Sequence, residues 1–268
     1  MKLCRFKVEN LEKFGISSPG KIKEIDGNLF NPGKETGAVY KEEEVEFLPI
    51  IRPGKIICIG FNYGKHAIQL KEIATKKPTI ALKAPSSLLG HNQNILLPDI
   101  SDRVDHEAEL GIIIGKEGYK IENPQEHILG YTIVNDVTAR DLQHEMGQWS
   151  PSKSFPTFCP MGPYIKTDLD ASNLRIRCRV NGELRQDAKT SEMIYSPDEC
   201  VKFASRFMEL QKGDLIATGT VPSVGKLDDG DIVEIEIEKI GILRNFVRAE
   251  KHWLDYTKDI LRRREKHV

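Results

Sequence analysis

The sequence predicts a mixed α+β protein that is mainly β, a roll or sandwich with few helices and a small N-terminal β unit. Three observations carry this reading. Strand-like segments recur along the chain without a helix between each pair, unlike a Rossmann-type sheet. Asp231-Ile232-Val233-Glu234-Ile235-Glu236-Ile237-Glu238 alternates as a strand with one solvated face does. Ile112-Ile113-Ile114-Gly115 is a continuous apolar run of the buried-strand type.

The elements follow in order. Residues 1–50 form the small β-rich domain, with strands at Leu3 to Val8 and Lys21 to Leu29, the latter carrying an Asp26-Gly27 turn. Glu42, Glu43, Glu44 and Glu46 make an acidic patch near the boundary. Residues 51–268 form the main domain. Its first strand is Lys55 to Gly60, followed by a helical segment from about Lys65 to Lys76. Further strands are expected at Thr79 to Lys83, Asn94 to Leu97, Glu107 to Gly115 and Ile128 to Asn135. The last set is Arg175 to Val180, Leu215 to Thr218, Ile232 to Ile237 and Gly241 to Val247. Helices are expected at Ala139 to Met146, Pro197 to Glu209 and His252 to about Arg264. The last is amphipathic through Trp253, Leu254, Ile260 and Leu261 and should pack against the domain or a partner subunit.

Composition narrows the function. The net charge of −1 argues against a nucleic-acid binder that relies on bulk charge. No stretch is apolar enough to span a bilayer, and the N-terminus lacks the apolar core of a signal peptide. Five irregularly spaced cysteines point to reduced thiols and a cytoplasmic setting, and no Cys/His cluster has zinc-finger spacing.

Glu107 and Glu109 stand out. On one strand they point to the same face, and two like charges on a partly buried face repel. A divalent cation with oxygen ligands resolves the conflict; a solvated strand edge is the other reading. Asp136, at the end of the strand Ile128 to Asn135, adds a third carboxylate, or else is a turn residue. Three acidic oxygens plus water match the way Mg²⁺ is commonly held.

Taken together, Gly60-Phe61-Asn62-Tyr63-Gly64-Lys65-His66, the Glu107-Ala108-Glu109 pair and Asn135-Asp136-Val137-Thr138-Ala139-Arg140-Asp141-Leu142-Gln143 resemble the fumarylacetoacetate hydrolase family. Lys153-Ser154-Phe155, Asn181-Gly182-Glu183 with Arg185-Gln186, and Thr218-Gly219-Thr220 continue the resemblance in the family's order. The likeness is to the short-chain bacterial and archaeal branch, with its acylpyruvate hydrolases and 2-hydroxyhepta-2,4-diene-1,7-dioate isomerases. It implies a central β roll, a homodimer and one Mg²⁺ or Mn²⁺ per subunit, with Ca²⁺ as a further candidate. By position, Glu107, Glu109 and Asp136 match the metal carboxylates. Gln143, Gly219 and Thr220 match substrate-lining positions, and His66 and Lys153 match catalytic ones.

The resemblance implies chemistry on a small acidic 2-oxo or 2-hydroxy-enoate compound, of the kind met in aromatic-compound catabolism. Three reactions share an enolate stabilised by the metal as Lewis acid: C–C hydrolysis, decarboxylation and isomerisation. Lys153 would place a cation near the developing charge. The Thr218-Gly219-Thr220 turn can aim a hydroxyl and backbone N–H groups at a carboxylate. For Lys153, Gln143 and the turn, the plain alternative is a solvated side chain or an ordinary loop. Thr138 and Asp141 read as a helix capping box with Asp replacing Glu, and Arg140 as a tie for acidic side chains. His91 and His106 flank the acidic region as supporting or surface groups. Cys159 reads as a buried thiol, and Trp149 and Phe155 either fill the core, the preferred reading, or wall the pocket.

His66 suits proton transfer near neutral pH. The family usually carries a glutamate three residues after it, and here that position is Gln69. Glutamine can orient an imidazole but cannot take its proton. The departure disfavours hydrolytic water activation relative to decarboxylation or tautomerisation, and allows a relative that binds metal and carboxylate with weak or lost catalysis. Gln69→Glu is therefore expected to raise turnover of acetylpyruvate; no gain would show that the missing carboxylate is not what limits hydrolysis.

Overall fold

The computed structural model describes residues 1–64 and 78–250. The helices expected at Lys65 to Lys76 and from His252, with His66 and Gln69, lie outside the described residues. The remainder is mainly β, as expected.

The N-terminal stretch supplies β1 (Lys2–Val8), β2 (Leu11–Ser18), β3 (Lys21–Ile25), β4 (Glu35–Lys41) and β5 (Glu46–Phe47). Next come β6 (Ile56–Gly60), β7 (Thr79–Lys83), β8 (Leu88–Leu89), β9 (Asn94–Leu97), β10 (Val104–His106), β11 (Ala108–Ile114), β12 (Ile128–Asn135) and β13 (Thr138–Ala139). Two short helices, α1 (Arg140–Met146) and α2 (Trp149–Lys153), lead into β14 (Cys159–Lys166). The chain continues through β15 (Arg175–Val180), β16 (Glu183–Lys189), α3 (Pro197–Ala204), β17 (Leu215–Ala217), β18 (Gly225–Lys226), β19 (Ile232–Ile237) and β20 (Gly241–Ala249).

One long sheet runs β4-β3-β2-β1-β14-β12-β11-β17-β6-β7, with β5 on β1 and β8 on β14. The N-terminal meander thus joins the main sheet directly, through Lys2 opposite Lys166 and Cys4 opposite Tyr164. A second sheet runs β16-β15-β19-β20-β9, and a small third one β13-β10-β18.

Both faces of the long sheet are covered. On one, Ile57, Ile59, Leu110, Ile112 and Ile133 pack with Ile176, Ile235 and Leu243 of the second sheet. On the other, Ile56, Cys58, Ile113, Val134 and Ile165 pack with Leu3, Phe6 and Ile22. Burial on both faces explains why the end of β11, Ile112 to Ile114, reads as an unbroken apolar run rather than an alternating one. The second sheet keeps one charged face, so β19 alternates as its sequence does.

Several elements differ from expectation. The strand expected from Glu107 to Gly115 is present as β11, one residue shorter at each end, but β10 before it was not expected: β10 pairs with β13 and β18, β11 pairs with β12 and β17, and Glu107 sits at the joint. β14 is hidden in the sequence by Pro160 and Pro163, residues poor in strand propensity. α3 is capped by Ser196 and Glu199 but ends at Ala204. There the Ser205 hydroxyl bonds Lys202 O and accepts the Ile121 N–H, drawing the chain into a turn. Thr138 and Asp141 do not form a capping box: α1 follows Ala139, and Asp141 instead accepts from Ser101 and the Asp102 N–H.

The turn between β8 and β9 docks on β20 through His91. Its Nδ1 accepts the Arg244 N–H at 3.1 Å, and its ring meets Phe47 edge-on. Burial, and then the nearby Arg244 charge, pull its pKa down to about 4. A histidine held neutral in the fold binds fewer protons than its unfolded counterpart, so it keeps its full contribution above about pH 6.5 and loses stability as pH falls towards 4. His91→Gln is expected to flatten this part of the stability profile, read as unfolding midpoints between pH 7 and 4. Equal slopes in the two proteins would remove His91 as the cause.

Candidate active site

The register of β11 and β12 builds the site. Ala108 lies opposite Asn135 and Glu109 opposite Val134, so Glu107 comes opposite Asp136 where the two strands end. The Asp136 N–H donates to Glu107 O, and Asn135 Oδ1 accepts the Glu107 N–H, which fixes both strand ends. Glu107 and Glu109, two residues apart, then share a face. One carboxylate oxygen from each of Glu107, Glu109 and Asp136 lies within 4.8 Å of the others, and all three side chains are buried. A hard oxygen donor set at this spacing fits a divalent cation of the Mg²⁺, Mn²⁺ or Ca²⁺ kind.

Buried positive charge meets these acids. Lys153, at the end of α2, donates to Glu107 Oε2 at 2.9 Å, Asp136 Oδ2 at 2.5 Å and Thr138 Oγ1 at 2.8 Å. Lys83, the last residue of β7, donates to Asp136 Oδ1 and Phe158 O, both at 2.5 Å, and to Val137 O at 3.2 Å. Arg140, the first residue of α1, pairs with Glu107 through Nη2, with Asp105 Oδ2 through Nε at 2.9 Å, and with Gln143 Oε1 through Nη1 at 2.7 Å. This fork leaves the Gln143 amide with its two donors.

Proton affinities follow from the layout. Burial, then the neighbouring Asp136 and Glu107, push Glu109 well above the usual carboxylate range. Burial would raise Asp136 too, but Lys153 and Lys83 prevail and hold it low. Burial works against the Lys153 ammonium, yet Asp136 and Glu107 keep it protonated far above neutral pH.

The site opens into a cavity of about 390 Å³ lined by all three acids, Arg140, Gln143, Lys153 and Thr220. Of the expected site residues, Gly219 stands behind this wall. Its N–H donates to Glu109 Oε2 at 2.8 Å rather than facing the cavity. Its φ is +100°, and a Cβ there would come 2.8 Å from the Asn62 Cβ, so only glycine fits. The Thr220 hydroxyl is held from behind by Gln186 Nε2 at 3.0 Å and donates to Ala108 O. Gln186 Oε1 meets Nδ1 of His106, which is thus a buried supporting group.

Phe61 and Trp149 form an aromatic wall, ring centroids 5.0 Å apart, so Trp149 is a cavity residue rather than plain core. A Cβ on Gly60 would overlap the Trp149 ring. Phe155 packs on Phe158 in the core as expected. Cys159 is buried, its thiol pushed up to about 12 by that burial, which suits an inert thiol. His144 lines the cavity and had no sequence signal of its own. Lys83 and Asp105 were likewise missed, because a lysine closing a strand and an aspartate before a histidine look like surface residues until the fold buries them.

The fumarylacetoacetate (FAA) hydrolase C-terminal family model matches residues 55–248, and an Rv2993c-like N-terminal model matches residues 1–49. The chain is 48% identical over 233 residues to the uncharacterized protein MJ1656 of Methanocaldococcus jannaschii, covering 86% of this chain and 96% of that one. It is 42% identical over 289 residues to the mitochondrial oxaloacetate tautomerase FAHD2B of Bos taurus, covering 92% and 91%. The crystal structure of a 5-carboxymethyl-2-hydroxymuconate delta-isomerase from Mycobacterium smegmatis superposes with a TM-score of 0.86 at 39% identity, covering 93% of this chain and 100% of that one.

Lys153→Met keeps the stem and removes the ammonium, leaving Glu107 and Asp136 buried with one cation fewer. The expected cost is about 3–5 kcal/mol of unfolding free energy, read by urea denaturation in EDTA. An unchanged midpoint and slope would show that the cluster does not depend on this charge.

Proposed function

The chain belongs to the fumarylacetoacetate hydrolase family of enzymes, and from that premise we propose that it is a divalent-metal-dependent isomerase. In this reading it moves a proton between carbon and oxygen, or along a double bond, of a small acidic 2-oxo or 2-hydroxy-enoate compound. The observation that carries the reading is the meeting of Glu107, Glu109 and Asp136 with Lys153, Arg140 and Gln143 at one cavity.

The similar structures include a fumarylacetoacetate hydrolase and a maleylpyruvate hydrolase, so the relatives span both chemistries; the two that support isomerisation are named an oxaloacetate tautomerase and a delta-isomerase. Both names describe proton relocation without release of a fragment. Gln69, where the family's glutamate is usual, points the same way.

Glu107, Glu109 and Asp136 would hold a divalent ion, Mg²⁺ or Mn²⁺ in this proposal, which would supply Lewis acidity to a bound 2-oxo acid. Lys153 Nζ, kept protonated, borders the cavity and would donate to the oxygen on which enolate charge develops by giving up one of its bonds to Glu107, Asp136 or Thr138. It is a charge stabiliser and not the base. Gln143, its carbonyl taken by Arg140, offers N–H donors to a substrate carboxylate. Thr220, held in place by Gln186, lines the cavity. Phe61 and Trp149 cover a planar conjugated substrate and exclude water. His66 carries the proton in this scheme. Residues 1–50 are the accessory unit and 51–268 the catalytic one, and the proposed working form is a cytoplasmic homodimer. Among the described residues no helix is long and apolar enough to cross a membrane.

The test is turnover of oxaloacetate, a hydroxymuconate-type diacid and acetylpyruvate by metal-stripped protein, with and without added Mg²⁺ or Mn²⁺. Metal-dependent tautomerisation or isomerisation of one of the diacids is expected; metal-dependent cleavage of acetylpyruvate alone would replace isomerisation with hydrolysis. Glu109→Gln is expected to abolish turnover and weaken Mg²⁺ binding while leaving the circular dichroism spectrum unchanged. Wild-type turnover in that variant would sink the metal assignment.

A further inference from the structure

Each carboxylate of the triad is tied by one oxygen to a donor built into the fold. Glu109 Oε2 takes the Gly219 N–H. Glu107 Oε1 takes the Arg140 guanidinium, itself locked onto Asp105. Asp136 Oδ1 takes Lys83 Nζ, whose remaining bonds go to Val137 O and Phe158 O. Lys83 is 1% exposed and stands outside the cavity wall, so its ammonium has no room to withdraw.

Lys153 differs. It spans the other oxygens, Glu107 Oε2 and Asp136 Oδ2, and also donates to Thr138 Oγ1, but unlike Lys83 it lines the cavity. That open space lets its stem turn towards the cavity when it yields those oxygens. Among the described residues, the fixed donor to Glu109 is the Gly219 N–H on Oε2.

The asymmetry bears on which ion the triad accepts. A carboxylate that binds through both oxygens brings the ion against each of them. At Asp136 that would set a divalent charge beside Lys83, 2.5 Å from Oδ1, and at Glu107 beside Arg140, in a buried setting where like charges are costly. Binding through single oxygens keeps the ion on the side of Lys153, the cation that can move. Mg²⁺ takes single oxygens at near-ideal octahedral positions and retains waters, whereas Ca²⁺ uses six to eight oxygens and readily takes both from one carboxylate.

We propose that Lys83, Arg140 and the Gly219 amide restrict the triad to one oxygen per carboxylate, and that Lys83 thereby selects Mg²⁺ and Mn²⁺ against Ca²⁺ at Asp136. The inference rests on the metal reading given above and adds to it a residue that sets ion choice. Lys83 acts through Asp136 and touches neither substrate nor reacting atoms.

Calorimetric titration of metal-stripped protein with MgCl₂, MnCl₂ and CaCl₂ tests it without reference to activity. The wild type is expected to bind Mg²⁺ and Mn²⁺ more tightly than Ca²⁺. In Lys83→Met and Lys83→Gln the ratio of Mg²⁺ to Ca²⁺ affinity is expected to fall about tenfold, the scale of effects from groups that orient metal ligands. A role for Lys83 in folding alone would weaken all ions together and leave the ratio unchanged, which would overturn the proposal. Should neither variant fold, infrared difference spectra of the loaded wild type decide through the splitting of the carboxylate stretches. Single-oxygen bands with Mg²⁺ support the proposal, and two-oxygen bands overturn it. Ca²⁺ binding as tight as Mg²⁺ in the wild type overturns the selectivity while leaving the metal reading intact. Absence of binding by all three ions overturns both.

Discussion

Buried negative charge must be answered by buried positive charge, and much of this molecule is arranged around that requirement. Asp105, Glu107, Glu109 and Asp136 face Lys83, Arg140 and Lys153, with Arg103 reaching Asp105 from the rim. The three inner cations come from β7, α1 and α2, segments that the sequence separates and the fold brings to the ends of β11 and β12. Each helix is short, and each delivers one cation to the cluster from a terminal residue: Arg140 opens α1 and Lys153 closes α2. The long sheet acts as the frame in which these ends are held in register.

The same requirement separates roles among residues that look alike on paper. Lys83 and Lys153 both contact Asp136, one on each oxygen. One is locked by backbone carbonyls and the other borders open space. A similar division holds in the Thr218-Gly219-Thr220 turn, where the glycine amide secures a carboxylate and the threonine side chain reaches the cavity wall. Positions that a motif groups together thus divide into groups that hold the site and groups that face the substrate.

The frame was legible in the sequence wherever a local pattern reports a local environment. β19 announces its solvated face by alternation, and β11 its double burial by an unbroken apolar run. Glu107, Glu109 and Asp136 were legible because a two-residue spacing and a strand end are local facts. Lys83 was not, since nothing near residue 83 signals the distant carbonyl of Phe158 or the carboxylate of Asp136. β14 was hidden by its prolines, and β10 by its three-residue length and polar composition. Trp149 looked like core because an indole packed on a glycine and an indole at a cavity wall have the same composition. In each case the missing information was long-range pairing.

The junction between β1 and β14 carries a consequence of another kind. A strand with an unpaired edge exposes a row of free N–H and C=O groups, a template for joining other chains. At its Tyr164–Lys166 end, β14 has that edge occupied by Lys2–Cys4. The meander beyond it ends on β4, an exposed strand that begins and ends in charged residues, Glu35 and Lys41, and carries a glycine. The first fifty residues therefore serve colloidal behaviour as well as architecture: they move the sheet's boundary from a tightly packed apolar strand to a polar one less suited to recruiting neighbours.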